Sequence, residues 1–190
     1  MSKDNPIEQR CRYKTKRLLV KSWRYLRYTP LRGQVFTKKI IDLLTPEVTE
    51  TLPEEWQEID TIERAAAWIN KRDEESAVFT IEFLSNKEPK EVIGFLFLNE
   101  EDPAEFAGTK LRLGYLLSKK VWGKGLGSEL IKGLVEWCEA AGDIASISGG
   151  VSVDNLVSIK ILEKNGFSIS TSERPPQNMV FLERKFEIES

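Results

Sequence analysis

Three features of the sequence predict a mixed α/β (α+β) fold organised around one mostly antiparallel sheet. The segments AVFTIEFL (77–84), VIGFLFL (92–98) and LRLGYLLS (111–118) are runs of β-branched and aromatic residues separated by polar stretches, the pattern of an antiparallel meander. The third run passes through a glycine-rich turn into an amphipathic helix and then into ASISGGVSV (145–153), which makes one strand–helix–strand unit over 111–153. No internal repeat and no Gly/Ser/Pro-rich linker interrupts the 190 residues, so 1–190 is expected to form a single domain with helices flanking the sheet.

Taken in order, residues 1–16 read as a basic extension, flexible or loosely packed. Residues 17–24 form a first strand, with Leu18, Leu19, Val20 and Trp23 as core formers. Val35, Phe36, Ile40, Ile41, Leu43 and Leu44 have helical spacing over 33–44, and Thr45-Pro46 stops that helix. Thr61 opens a second helix with Glu63 and Arg64 in its first turn. The meander follows, with loops at 85–91 and 99–109. After the glycine turn, Leu126, Leu130, Ile131, Leu134, Val135 and Cys138 share one helix face, and Gly142 ends the helix. Asp154-Asn155 start a further helix that Asn165-Gly166 close. Phe167 begins a strand, Pro175-Pro176 mark a turn, and a closing strand runs from Asn178.

Composition removes several classes of function. No apolar run approaches the roughly 18–20 residues of a membrane span, and the first residues lack the apolar core of a signal peptide. Two cysteines, Cys11 and Cys138, make no disulfide framework, so the cytoplasm is the expected compartment. There is no histidine, which excludes His-metal sites, His-based triads and the commonest general base. Residues 1–39 hold 12 Lys/Arg and two acidic residues, whereas residues 40–190 hold 16 and 28. The basic opening, with Tyr13, Trp23, Tyr25 and Tyr28 interleaved, is read as a solvated strand edge and helix face in preference to a nucleic-acid arm.

The turn Val121-Trp122-Gly123-Lys124-Gly125-Leu126-Gly127-Ser128 stands between a strand and a helix. The first amides of a helix have no partner within it, and the helix dipole adds partial positive charge. Glycines let the backbone approach an anion, so pyrophosphate suits this turn, with Lys124 as a point charge and Ser128 as a hydroxyl donor. The P-loop pattern fails because Lys124 is not followed by Ser or Thr. A dinucleotide fingerprint fits poorly because Ser128 occupies its third glycine position. A tight turn that binds nothing is the remaining reading.

This turn, with Gly125 and Gly127 and a Trp122-Gly123 opening, is followed about 30 residues later by Asn155-Leu156-Val157-Ser158 and then by Glu163-Lys164-Asn165-Gly166-Phe167. Together these motifs resemble the GCN5-related N-acetyltransferase (GNAT) family, especially its RimJ/RimL-like branch. The resemblance implies acetyl-CoA as co-substrate, no metal, and direct acetyl transfer to a primary amine without an acyl-enzyme. It implies that Tyr115, Leu116 and Leu117 pair with the pantetheine arm, and that Gly123, Lys124, Gly125, Leu126, Gly127 and Ser128 wrap the pyrophosphate. Asn155 and Ser158 are implied near the thioester; helix N-cap is the competing reading of Asn155.

Such a transfer needs a neutral amine, in-line placement, a donor for the tetrahedral oxyanion and a proton or hydrogen bond for the thiolate. The Leu117 backbone N–H is the candidate oxyanion donor, Ser158 the candidate for steadying the thiolate, and the Tyr115 side chain is read as a packing residue. The family's Tyr, seven residues after the motif Asn, is Leu162 here, and its Glu five residues before is Gly150. Glu82, which interrupts an apolar strand, is the first candidate base; a solvent-facing strand residue is the alternative. Ser146, Ser148, Gly150 and Ser152 form a small-residue strand face that leaves room for an acceptor or for a closely packed helix. The expected acceptor is a protein N-terminal α-amine. The alternatives are a polyamine or aminoglycoside-like amine, which the acidic residues Glu50, Glu54, Glu55, Glu58 and Asp60 would favour, or a non-catalytic CoA-binding or RNA-docking module on the same fold. Nucleic acid and membrane partners are not expected, and a homodimer is compatible with the sequence.

Overall fold

Alternation of side chains along extended segments builds an eight-stranded sheet with an apolar layer on each face. The computed structural model describes residues 6–27, 30–84, 91–101, 108–171 and 175–188, and the side chains of residues 27–34 lie outside that description. The strands are β1 (Tyr13–Lys14), β2 (Leu18–Ser22), β3 (Ala77–Phe83), β4 (Glu91–Glu100), β5 (Thr109–Leu117), β6 (Ile144–Ser152), β7 (Ser168–Ile169) and β8 (Met179–Lys185). They lie in the order β1-β2-β3-β4-β5-β6-β8-β7, and every pair is antiparallel except β5 with β6. The predicted hairpin, meander and strand–helix–strand unit are all present.

Helices cover both faces. On one, α6 (Leu126–Ala141) buries Leu126, Leu130, Ile131, Leu134, Val135 and Cys138 against Leu18, Val20, Phe79, Ile81, Leu111 and Ile147. α7 (Leu156–Lys164) adds Leu162, which points into this core and is 1% exposed. On the other face, α3 (Pro30–Leu43) and α5 (Ile62–Glu75) pack Phe36, Ile40, Trp68 and Ile69 on Trp23, Val78, Phe95 and Phe97. Edge-to-face rings dominate this layer: Trp23 meets Phe36 at 5.7 Å and Trp56 meets Phe97 at 4.9 Å between centroids. Local signals set the helix ends. The Thr61 hydroxyl accepts the Arg64 N–H to cap α5, and Gly142 closes α6 with φ +73°.

The N-terminal stretch differs from expectation. Part of residues 6–16 is anchored in the core: α1 (Pro6–Arg10) and the segment after it bury Ile7 and Cys11, each 1% exposed, while Arg10, Arg12, Lys14 and Lys16 stay exposed. α2 (Arg24–Arg27) and α4 (Pro46–Thr49) were not expected, and the helix predicted from residue 33 starts at Pro30, with proline suited to a first turn. Residues 85–90 and 102–107 of the two expected loops lie outside the described residues. No described helix is long and apolar enough to cross a membrane.

Candidate active site

The parallel pair β5–β6 sets the site. β5 pairs with β6 only from Thr109 to Arg112; beyond that, Leu113–Leu117 pair with β4 and Gly149–Ser152 with β8, so the sheet splits into a wedge. The direction of the unpaired amides follows from parity. Ser118 donates to Ile93 on the β4 side, and Thr109 donates to Asp143 on the β6 side. Alternate residues of a strand turn N–H and C=O to opposite edges, so Tyr115 and Leu117 present theirs to the wedge. The Leu117 carbonyl is taken by the Trp122 indole N–H at 2.8 Å, which leaves its N–H facing the opening.

At the end of β5 the chain makes a 3₁₀ turn (Lys119–Val121) and then the glycine turn. Gly123 and Gly125 have φ +72° and +73°, where only glycine is unstrained. Nothing lies within 4 Å of a Cβ placed at Gly123, and at Gly125 only an Arg17 nitrogen does, at 3.7 Å. No side chain caps α6, so the amides of Leu126, Gly127 and Ser128 lack a partner within the helix. This open, uncapped start of a 16-residue helix fits a pyrophosphate.

Three of the expected cofactor residues also have partners within the chain. A Cβ at Gly127 would lie 2.9 Å from Ile161 Cδ1, so this glycine serves the approach of α7 to α6. The Ser128 hydroxyl accepts from the Asn165 side chain at 3.3 Å and faces α7. The Lys124 ammonium donates to the Lys120 carbonyl at 2.9 Å, tied to the turn's own backbone. The cation the sequence reading missed is Arg17. It reaches the turn with Nη1 to the Lys124 carbonyl at 2.9 Å and Nε to Glu129 at 2.6 Å. Its spacing to the motif, more than 100 residues, hid it from pattern reading.

α7 forms the opposite wall. Asn155 caps it, its side-chain oxygen accepting the Ser158 N–H at 3.1 Å, while its NH₂ donates to Thr51 at 3.4 Å. Capping uses only the oxygen, so the N-cap reading and a role for the amide N–H are compatible. Ser158 Oγ accepts from the Tyr115 hydroxyl at 3.3 Å, a bond that bridges the two sides of the wedge. The segment 47–51 spans the mouth, with Glu47 paired to Lys119 at 2.8 Å after β5 and Thr51 on Asn155 at the start of α7. A hydrogen bond from Lys119 holds the Glu47 carboxyl well down, at about 2.

Glu82 is not brought to the wedge. It is 3% exposed, pairs with Lys21 at 3.2 Å and accepts from the Tyr25 hydroxyl. β4 separates its strand from β5, so it stands two strand spacings, roughly 10 Å, from Leu117. The small face of β6 is flanked by β8: Phe181 and Met179 come within 2.9 and 3.1 Å of a Cβ at Gly150, and Arg112 lies over the Phe181 ring. Of the acidic cluster, Glu55 meets Lys71 and Arg72, and Glu58 and Asp60 meet Arg64.

The acetyltransferase (GNAT) domain family matches residues 35–168, most of the chain. No curated protein sequence matches it. Among solved structures, a GNAT-family acetyltransferase from Bacillus anthracis is similar at 14% identity and a TM-score of 0.68, covering 92% of this chain and 98% of that one. RimL, the ribosomal L7/L12 alpha-N-protein acetyltransferase in complex with coenzyme A, is similar at 16% identity and a TM-score of 0.67, covering 92% and 97%. The microcin C7 self-immunity acetyltransferase MccE, in complex with acetyl-CoA and AMP, is similar at 15% identity and 0.65, covering 90% and 93%. At these identities the structures bear on the fold. With a family match over most of its length, a split sheet and an uncapped glycine turn at the end of the split, the chain belongs to the GNAT family of acetyltransferases.

Proposed function

We propose that the protein moves acetyl from acetyl-CoA directly to the α-amine of a protein N-terminus, in the manner of the RimJ/RimL-like branch. The observation that carries this reading is the wedge whose free backbone edge, Tyr115 to Leu117, runs into the open α6 start at Gly125. An extended pantetheine arm pairs along that edge, and the amides of the first turn of α6 hold the pyrophosphate. The Leu117 N–H, turned into the opening, donates to the oxygen that gains charge as the amine adds to the carbonyl carbon. Ser158, fixed by the Asn155 cap, faces the departing sulfur.

Two features favour a protein α-amine over a polycation. Glu55, Glu58 and Asp60 are neutralised within the chain, so the negative well a polyamine needs is reduced. Val153, Leu156 and Val157, 43, 59 and 70% exposed, give the rim beside Asn155 an apolar surface for the first side chains of a peptide. RimL, similar in fold, is a ribosomal protein alpha-N-acetyltransferase. The test is release of free CoA from acetyl-CoA with peptides bearing free or blocked N-termini, polyamines and aminoglycosides. Turnover with free N-termini alone is expected; turnover only with polyamines or aminoglycosides would replace the acceptor, and none with any amine would remove the reading.

A further inference from the structure

Collapse of the tetrahedral intermediate needs a proton source at sulfur, and the chain has no histidine to supply it. A thiolate leaves with a pKa near that of a free thiol, about 8.5, so the matched side-chain acid is a phenol, about 10. A serine hydroxyl alone is too weak an acid; it can pass a proton on only if another group replaces it. Tyr115 is such a group. Its side chain leaves β5 on the α6–α7 face, both it and Ser158 are half-buried, and its hydroxyl donates to Ser158 Oγ at 3.3 Å. The bond is long, as catalytic hydrogen bonds often are before substrate tightens them. It engages a lone pair of Oγ and leaves the serine's own proton without an acceptor among the described residues.

Resting on the proposed transfer reaction, we infer that Tyr115 is a positioning residue that feeds its proton through Ser158 to the leaving sulfur. The oxyanion lone pair re-forms the carbonyl π bond and the C–S bond breaks with its electron pair going to sulfur. Sulfur takes the Ser158 proton, Oγ takes the Tyr115 proton, and the phenolate regains one from water as products leave. The amine proton has gone to water beforehand, so charge and atoms balance. Burial holds the Tyr115 phenol above its usual value, against the smaller opposing effect of the Ser158 bond, which keeps it protonated at neutral pH.

The experiment compares wild type, Tyr115→Phe, Ser158→Ala and the double variant, with acetyl-CoA and a peptide bearing a free α-amine. Phe keeps the packing of the ring, so the melting temperature and the calorimetric affinity for CoA are expected to stay near wild type. Turnover, kcat, is expected to fall about a hundredfold in each single variant, with KM for acetyl-CoA nearly unchanged. The double variant should be no slower than the worse single one, because the two hydroxyls act as one unit. Wild-type kcat in Tyr115→Phe, or losses that multiply in the double variant, would overturn the inference and leave the transfer reaction standing. A wild type that neither binds CoA nor releases it from acetyl-CoA with any amine would overturn both.

Discussion

Gly125 and Gly127 share one turn and do different work. At Gly127 the space a side chain would fill belongs to Ile161, 2.9 Å away, so its substitution acts on packing. At Gly125 only an Arg17 nitrogen borders that space, and φ is +73°. Gly125→Val therefore strains the backbone by about 1–3 kcal/mol and places a stiff branched side chain where the pyrophosphate would lie. Losing charge-assisted amide bonds of roughly 1.5–3 kcal/mol each should weaken CoA at least a hundredfold. Calorimetric affinity, read beside the melting temperature without ligand, checks this; a folded variant with wild-type affinity would make the turn only a turn. The two roles were indistinguishable in the sequence, because the spacing reports that glycines are needed and not which neighbour needs them. Glu82 was ambiguous for a similar reason. Strand alternation places it on a face, but its cover, Tyr25 and Lys21, comes from segments about 60 residues earlier.

At the scale of elements, the glycine turn is braced from the other end of the chain. Glu129, in the first turn of α6, accepts from the Thr15 hydroxyl at 2.6 Å, the Arg17 backbone N–H at 2.7 Å and Arg17 Nε at 2.6 Å. Burial alone would raise the Glu129 carboxyl, and these hydrogen bonds together bring it below its usual value. Arg17→Ala removes the side-chain share and the bond to the Lys124 carbonyl but keeps the other two. With Arg17 38% exposed, solvent screening limits the loss to about 1–2 kcal/mol, a fall of about 2–8 °C in melting temperature for a chain this size. Affinity for CoA should drop about tenfold as the turn loosens, equivalent to about 1.4 kcal/mol. An unchanged melting temperature and affinity would show that the brace carries no load. Long elements were legible for local reasons: α6 has an apolar stripe and a closing Gly142, and α5 has its Thr61 cap. The five-residue α1 and two-residue β1 were not, because elements that short are held by tertiary contacts that no local pattern records.

Across the whole molecule, those contacts make the N-terminal segment a strap along α6. Arg17 meets Glu129 at the helix start, the Tyr13 hydroxyl meets the Leu130 carbonyl at 3.1 Å, and Arg10 grips Asp143, just past the helix end, at 2.6 and 2.7 Å. Both carboxylates are held below their ordinary values, Asp143 by the Arg10 hydrogen bonds first. A depressed folded value means that their stabilisation is complete above the unfolded range, about 3.9 for Asp and 4.3 for Glu. It is lost as pH falls through the lower folded values. Glu8 works the other way: burial raises its carboxyl, outweighing the opposing bonds from Ser22 and Arg24, so acid relieves a cost there. The strap's share is therefore read as a difference between proteins. Melting temperature should fall below about pH 4 in the wild type, and less steeply in Arg10→Ala, while the gap between the two stays constant from pH 5 to 7. Parallel curves down to pH 3 would mean that the Asp143 pair contributes nothing to holding the strap.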